Sequence, residues 1–452
     1  MSFPSQPYSA IIIDSSYSQL CFATRQCLIY HSSKAREDYE NTLKQLWNTP
    51  SNPNPVIPCL CVRTGLDLYL RVKNFPPGSE VIMSAVNIPD MASIIRHHQL
   101  TVVPLDINID TLEPKLPLLK RLINRNTVAI LVAHLYGRQV NMDPFISVAR
   151  YYNLDIIEDC AESFSGFVHI GHPDSDLALF SFGVIKFSTS FGGNIIKVRE
   201  EELYRQMHEL YLKYPIQSNA TYLKKLLKYF PLYTTLQVWP FPQLMQKSRE
   251  MGMDWKATFV SFLRGFPNDL INNIRYRPSS ALLSVMAGVQ TSFNPASFDL
   301  QRIKCSYFQS NLTTSLKVIG TKTKINNFWL FPVVVENPEL FVRCLGALGV
   351  DAYRGATQLN VIEPDQVDLP SQPNIVGEVV PPEDRYPLNA RYLIDHVVYM
   401  PVNKFVPFHV IDHMAKVCKL VMLSMSSPPK QAFDLCRSLT KSKRMSLVKS
   451  KL

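Results

Sequence analysis

Leu154-Asp155-Ile156-Ile157-Glu158-Asp159-Cys160 is the stretch whose reading settles the architecture. An apolar run that does not alternate with polar residues, and that ends in acid, predicts a strand covered on both faces. The same kind of run recurs on either side of it. Glu80-Val81-Ile82-Met83, Thr101-Val102-Val103-Pro104-Leu105, Val128 to Ala133 and Asn194 to Val198 all have this character. Helix-spaced segments lie between them: Thr64 to Phe75, Met91 with Ile94 and Ile95, Asp143 to Tyr152, and Glu200 to Leu210. This alternation predicts an α/β domain, a mostly parallel sheet sandwiched by helices. Ligands of such sheets bind beyond the carboxyl ends of the strands. Asp159 falls there.

The chain of 452 residues is long enough for more than one core. We expect an N-terminal arm and helix over 1–62 and a large domain over 63–290. A smaller C-terminal α+β domain follows over 291–423, then a disordered basic tail over 424–452. In the small domain, Phe328 to Val335 and Val397 to Pro401 read as strands. Pro338 to Leu348 and His409 to Leu420 read as helices, and Arg275 to Val289 reads as the start of one. No internal repeat is visible.

An apolar share of 46% with 19% charged residues is that of a globular protein. No apolar run approaches the ~18 residues of a membrane span. The polar N-terminus lacks the layout of a secretory signal. The nine cysteines are scattered, and Cys59-Leu60-Cys61 is too tight for the usual zinc or redox pairs. Reduced thiols, an intracellular setting and no metal are expected. The net charge of +10 is concentrated in Tyr211 to Arg249 and in the tail from Lys430 to Lys451. No RNA-binding aromatic signature or zinc finger accompanies it, so nucleic acid is not an expected partner. The basic, aromatic segment over about 211–272 reads as an amphipathic helical insert. It either packs on the body or makes a weak membrane-surface or partner contact.

A second stretch gives the acid at Asp159 its chemistry. Phe180-Ser181-Phe182-Gly183-Val184-Ile185-Lys186 carries a lysine just past a strand, before Gly192-Gly193. An acid at one strand end and a lysine beyond a later one are what pyridoxal 5'-phosphate requires. The amine condenses with the cofactor aldehyde, and the acid keeps the pyridine nitrogen protonated so that the ring draws electrons.

From about Arg63 to Leu420 the chain resembles the DegT/DnrJ family of pyridoxal-phosphate-dependent sugar aminotransferases. Several segments carry the likeness in order: Gly78-Ser79-Glu80-Val81-Ile82, Val103-Pro104-Leu105-Asp106-Ile107 with Thr111-Leu112, and Ala133-His134-Leu135-Tyr136-Gly137 with Met142-Asp143. Ile157-Glu158-Asp159-Cys160-Ala161, Phe180-Ser181-Phe182 with Lys186, Arg275-Tyr276-Arg277 and Met400-Pro401 follow. The resemblance implies the fold-type I aminotransferase fold. It implies a homodimer that moves an amino group from a donor such as glutamate to a keto group of a nucleotide-linked sugar or related carbonyl compound. Lys186 would be the cofactor-linked lysine and proton shuttle, and Asp159 the partner of the pyridine nitrogen. Thr64 and Gly65 would offer backbone N–H groups to the phosphate. Ser181 would add a hydroxyl. Arg275 stands where the family has an asparagine that reaches the phosphate across the dimer interface.

The chain departs from the family at four places. Its phosphate loop reads Arg63-Thr64-Gly65. Ile88 replaces an aromatic residue that stacks on the cofactor. Glu162 and Phe164 replace polar partners, and Glu162 brings a negative charge toward the cofactor hydroxyl unless protonated or paired. The glycine-rich stretch after the lysine is shortened. These changes keep two alternatives open: a lyase, dehydratase or racemase using the same cofactor, and a noncatalytic scaffold. The ending Lys449-Ser450-Lys451-Leu452 is a peroxisomal address, read by an import receptor, in a eukaryotic host; a cytoplasmic location is the alternative.

Overall fold

The apolar runs become strands. The computed structural model describes residues 8–237, 269–312, 316–355, 357–365, 373–375 and 377–438. Its first nine strands are β1 (Val56–Cys59), β2 (Glu80–Ser84), β3 (Val86–Asn87), β4 (Thr101–Leu105), β5 (Thr127–Ala133), β6 (Arg138–Gln139), β7 (Asp155–Asp159), β8 (Leu177–Ser181) and β9 (Asn194–Val198). Seven of them form one sheet in the order β1-β9-β8-β7-β5-β2-β4. The pairs β2–β4, β2–β5, β5–β7 and β7–β8 are parallel; β8–β9 and β1–β9 are antiparallel. Register sets Ala133, Asp159 and Leu179 side by side, so β5 and β7 end at one level.

Helices cover both faces, as unbroken apolar strands demand. They are α1 (Tyr17–Leu28), α2 (Ser33–Trp47), α3 (Val62–Lys73), α4 (Pro89–His97), α5 (Leu116–Leu122), α6 (Asp143–Tyr151), α7 (Glu201–Leu212) and α8 (Asn219–Gln237). Ser16 and Ser32 cap α1 and α2 through their hydroxyls, each worth about 1 kcal/mol. One core gathers Leu20, Trp47, Phe164, Phe180 and Met286; a second gathers Leu66, Met83, Ile94, Ile157 and Leu179.

The expected arm over 1–62 is more than an arm. It holds two helices, and β1 completes the sheet edge against β9. The helix expected to start at Arg275 starts instead at Ser280 (Ser280–Thr291), and a separate short helix, Leu270–Ile274, precedes the expected span. Pro278, which has no N–H to give, lies in the break. In the insert, α8 packs Tyr222, Leu226, Leu232 and Tyr233 into the first core. Residues 238–268 of that insert lie outside the described residues.

The C-terminal unit adds β10 (Lys317–Val318), β11 (Ile325–Asn326), β12 (Phe331–Val334), β13 (Asn360–Val361) and β14 (Val397–Met400). β10, β12 and β14 form an antiparallel sheet backed by helices Pro295–Asn311, Pro338–Ala347 and Phe408–Ser424. Two short ladders tie this unit to the large one: β11 pairs with β6, and β13 with β3. The tail expected to be disordered from 424 is helical over 429–438. Ala432 and Cys436 are fully buried there, and the Arg343 guanidinium covers the Phe433 ring at 4.4 Å. Those helically spaced residues lie in a short apolar cluster, Ala432-Phe433-Asp434-Leu435-Cys436, just ahead of the Ser/Lys-rich end. The terminal tripeptide and the rest of 439–452 lie outside the described residues. No described helix is long and apolar enough to cross a membrane.

Candidate active site

The strand ends of the large unit and two segments of the small unit enclose a cavity of about 170 Å³. Lys186 lies in its wall, on the loop after β8. That loop is folded on itself: Lys186 N–H donates to Gly183 O at 2.9 Å, and Thr189 Oγ1 donates to the same carbonyl at 2.7 Å. Gly193, at φ +88°, closes it, and a Cβ there would come within 2.4 Å of Met286 Sδ. Only glycine fits that approach.

Asp159 is buried at the end of β7. Its Oδ1 accepts from Ala161 N–H at 3.1 Å and its Oδ2 from Asn87 Nδ2 at 3.3 Å. Burial pushes its carboxyl above the usual carboxylate range, against those two hydrogen bonds. Glu162 is also buried. It accepts from Tyr136 N–H at 2.9 Å and pairs with Lys186 Nζ at 3.4 Å. Burial raises its pKa as well, with Lys186 pulling the other way. Burial lowers the Lys186 amine, opposed by Glu162 and then Asp159. The negative charge that Glu162 was expected to bring is therefore paired.

Of the residues singled out in the sequence, Asp159, Glu162, Ser181 and Lys186 share this cavity. Thr64 and Gly65 do not line it, which corrects the expected phosphate donors. α3 begins at Val62 behind Cys61, so the turn facing the cavity is Cys61, Val62 and Arg63. The N–H groups of Thr64 and Gly65 both turn to Cys61 O, and Thr64 Oγ1 donates to Ile274 O at 2.7 Å. Gly65 is instead a packing residue. A Cβ there would lie 2.8 Å from both Ile196 Cδ1 and Leu179 Cδ2, so it lets α3 sit close on the sheet.

Arg275 also lies outside the cavity lining. Its Nε and Nη2 grip the two oxygens of Asp67 at 2.9 Å each, and His98 Nε2 reaches Asp67 Oδ1 at 3.0 Å. These partners hold Asp67 well below the usual carboxylate range although its side chain is wholly buried. Phe164 faces the aromatic core, 5.2 Å from Phe182 and 5.6 Å from Trp47, while Ile88 lines the cavity.

Sequence reading missed Trp329, Asn87 and Gln358. The Trp329 ring lies 3.7 Å from Lys186 Nζ and its indole N–H donates to Ile185 O at 2.8 Å. Gln358 and Asp90 hold the Arg63 guanidinium, at 3.3 and 2.6 Å. The available signal was Asn326-Asn327, turn chemistry just ahead of Phe328 to Val335, the run read as one strand. His134, Glu158 and Cys160 cluster beside Asp159 with metal-ligand character. His134 Nδ1 accepts from Val140 N–H at 2.9 Å, so its Nε2–H donates to Glu158 at 2.8 Å. Glu158 also accepts from His172 N–H and Ser175 Oγ at 2.7 and 2.8 Å. These bonds satisfy the group internally.

Residues 58–223 match the sequence model of the DegT/DnrJ/EryC1/StrS aminotransferase family. The GDP-perosamine synthase of Caulobacter vibrioides is 34% identical over 157 residues, 34% of this chain and 42% of that protein. The chain thus matches less than half the length of that curated relative. The aminotransferase TlmJ from Streptoalloteichus hindustanus superposes with a TM-score of 0.62 at 14% identity, covering 93% of this chain and 100% of the other. The putative sugar aminotransferase Spr1654 from Streptococcus pneumoniae, in its PLP form, gives 0.61 at 17% identity, covering 91% and 98%. These likenesses identify the α/β architecture as the fold-type I aminotransferase fold. The likeness in sequence to the DegT/DnrJ/EryC1/StrS aminotransferase family thus spans residues 58–223, well under half of the chain.

Proposed function

We propose that the protein is a pyridoxal-phosphate-dependent aminotransferase acting on a keto group of a nucleotide-linked sugar or related carbonyl compound. One observation carries the reading: Asp159 and Lys186, from the ends of neighbouring strands, meet in one buried cavity. The donor set fits the cofactor. Asp159 is a buried carboxylate with both oxygens oriented, suited to a protonated ring nitrogen. Lys186 offers the amine. Cys61, Val62 and Arg63 present a helix start and a cation to a phosphate, and the Ser181 hydroxyl adds a donor. Ile88 and Ala161 supply apolar walls. When bound, the cofactor supplies an electron sink for labile bonds at an amino carbon.

The residues do the rest. Lys186 moves the proton at the reacting carbon through Nζ, and burial lowers its pKa toward the range where an amine serves as a base. Asp159, oriented by Asn87 and Ala161, offers its carboxyl group to a ring nitrogen. Trp329, Thr357 and Leu359 close the cavity from the small unit and restrict water. The relative named GDP-perosamine synthase supports the sugar class. The same reading includes a homodimer, supported by the family resemblance; light scattering on the purified chain measures it. For the reaction, the chain is mixed with the cofactor, glutamate and a keto nucleotide sugar. 2-Oxoglutarate released beyond one equivalent per site only when the sugar is present supports the reading. Its absence with a panel of keto sugars overturns the sugar class.

A further inference from the structure

The amine of Lys186 is bracketed. Glu162 Oε1 stands 3.4 Å from Nζ on one side and the Trp329 ring 3.7 Å on the other. Neither group is free to drift. Glu162 is anchored by Tyr136 N–H, and the indole by Ile185 O, the carbonyl next to the lysine. The segment that carries the indole is held from several sides. Asn327 Oδ1 accepts Trp329 N–H at 2.9 Å, Asn327 Nδ2 donates to Phe164 O at 3.0 Å, and Asn327 N–H donates to Gly137 O at 2.8 Å. Phe328 takes φ +52°, a left-handed conformation that a bulky residue holds only when its surroundings enforce it. Gly137, at φ +89°, makes the room: a Cβ there would lie 1.8 Å from Asn327 Oδ1. The backbone is bent where it aims an aromatic face at a reactive amine.

We propose that Glu162 is the proton acceptor for the Lys186 ammonium, and that Trp329 is the positioning residue that holds the ammonium against it. This deepens the amine–carbonyl reading of the same site and rests on it. In the step, an Nζ–H bond breaks and an Oε1–H bond forms, and the N–H electron pair stays on nitrogen. An ammonium and a carboxylate become an amine and a carboxylic acid, with no other reactant. The ion pair is the resting form, and burial, which disfavours both charged groups, narrows its advantage over the neutral pair and so eases the exchange. The other charged groups facing Lys186 are Asp159 at the end of β7 and Arg63 at the start of α3; Tyr136 and Tyr399 act on Glu162, and His134 acts on Asp159. Asp159 is engaged by Ala161 and Asn87, and Arg63 by Asp90 and Gln358. Among the described residues, Glu162 is the acid that touches Nζ.

The test needs no cofactor. The full chain is labelled with trace acetic anhydride across neutral to alkaline pH, and acetylation of Lys186 is quantified by mass spectrometry. E162Q, which keeps an acceptor for Tyr136 N–H, is expected to lower the midpoint of reactivity by about one pH unit or more. W329L lowers it by about half to one and a half units, the worth of a lost cation–π contact. W329F, which keeps a ring face, stays within about half a unit of the native chain. An unchanged midpoint in E162Q overturns the proposal, whatever the Trp329 variants do. Cofactor absorbance is read separately. Unchanged midpoints with normal absorbance overturn this proposal alone, whereas absent absorbance overturns the reading of the site while the midpoints stay measurable.

Discussion

Lys186 Nζ and Glu162 Oε1 stand 3.4 Å apart in a buried cavity at the ends of β7 and β8. The pair joins a departure to a retained residue in one device, because the acid that strays from the family pattern contacts the lysine that keeps it. Folding then holds an ion pair where burial narrows its advantage over the neutral one.

Asp159 makes the site costly without its ligand. Burial raises its pKa in the fold, so the folded state disfavours its charge. That penalty is absent when both states are protonated and complete above the folded pKa. D159N removes it while keeping an acceptor for Ala161 N–H. Thermal melts of the cofactor-free chain should place D159N above the native protein at pH 7, by an amount that shrinks as pH falls through the carboxylate range. A gap that widens on acidification would contradict the assignment.

The Asp67–Arg275 pair has the opposite sign. Asp67 is held below its usual range by His98 and Arg275, so it stabilises the fold above the unfolded carboxylate pKa, and that stability is lost as pH falls. R275A leaves a buried carboxylate short of its bidentate partner. Urea unfolding at neutral pH should show a loss of about 3–5 kcal/mol. The deficit should narrow in acid. A loss under about 1 kcal/mol would be that of a surface pair.

Gly65 tests the corrected edge of the site. If it is a packing residue, G65A forces Ile196 and Leu179 aside and costs about 1–3 kcal/mol in unfolding free energy. Cofactor affinity in the surviving fold should change little. If its N–H were a phosphate donor, the substitution would leave stability nearly intact and weaken the cofactor instead.

Legibility follows the range of the interactions. The parallel strands were readable because burial on both faces leaves unbroken apolar runs, as in Ile156-Ile157 and Val128 to Ala133. Asp159 and Lys186 drew notice because one ends a strand and the other follows one, and the fold brings both to one cavity. Thr64 and Gly65 were misplaced by one helical turn. Thr-Gly resembles a helix start, but Cys61, a weak cap by composition, is where α3 begins. Trp329 was not readable. Its placement depends on Asn327 bonding to Gly137 and Phe164, far away in sequence, and on a left-handed Phe328 that no periodicity announces. The tail helix was obscured because its apolar residues, Ala432, Phe433, Leu435 and Cys436, form one short cluster between Pro428-Pro429 and a Ser/Lys-rich end.

The near-visible absorbance of the purified chain with added pyridoxal phosphate, beside K186A, tests the central claim most directly. A yellow band in the native protein that glutamate bleaches, and that K186A lacks while melting within a few degrees of the native chain, is the predicted result. No band with excess cofactor, or an equal band in K186A, would contradict the account.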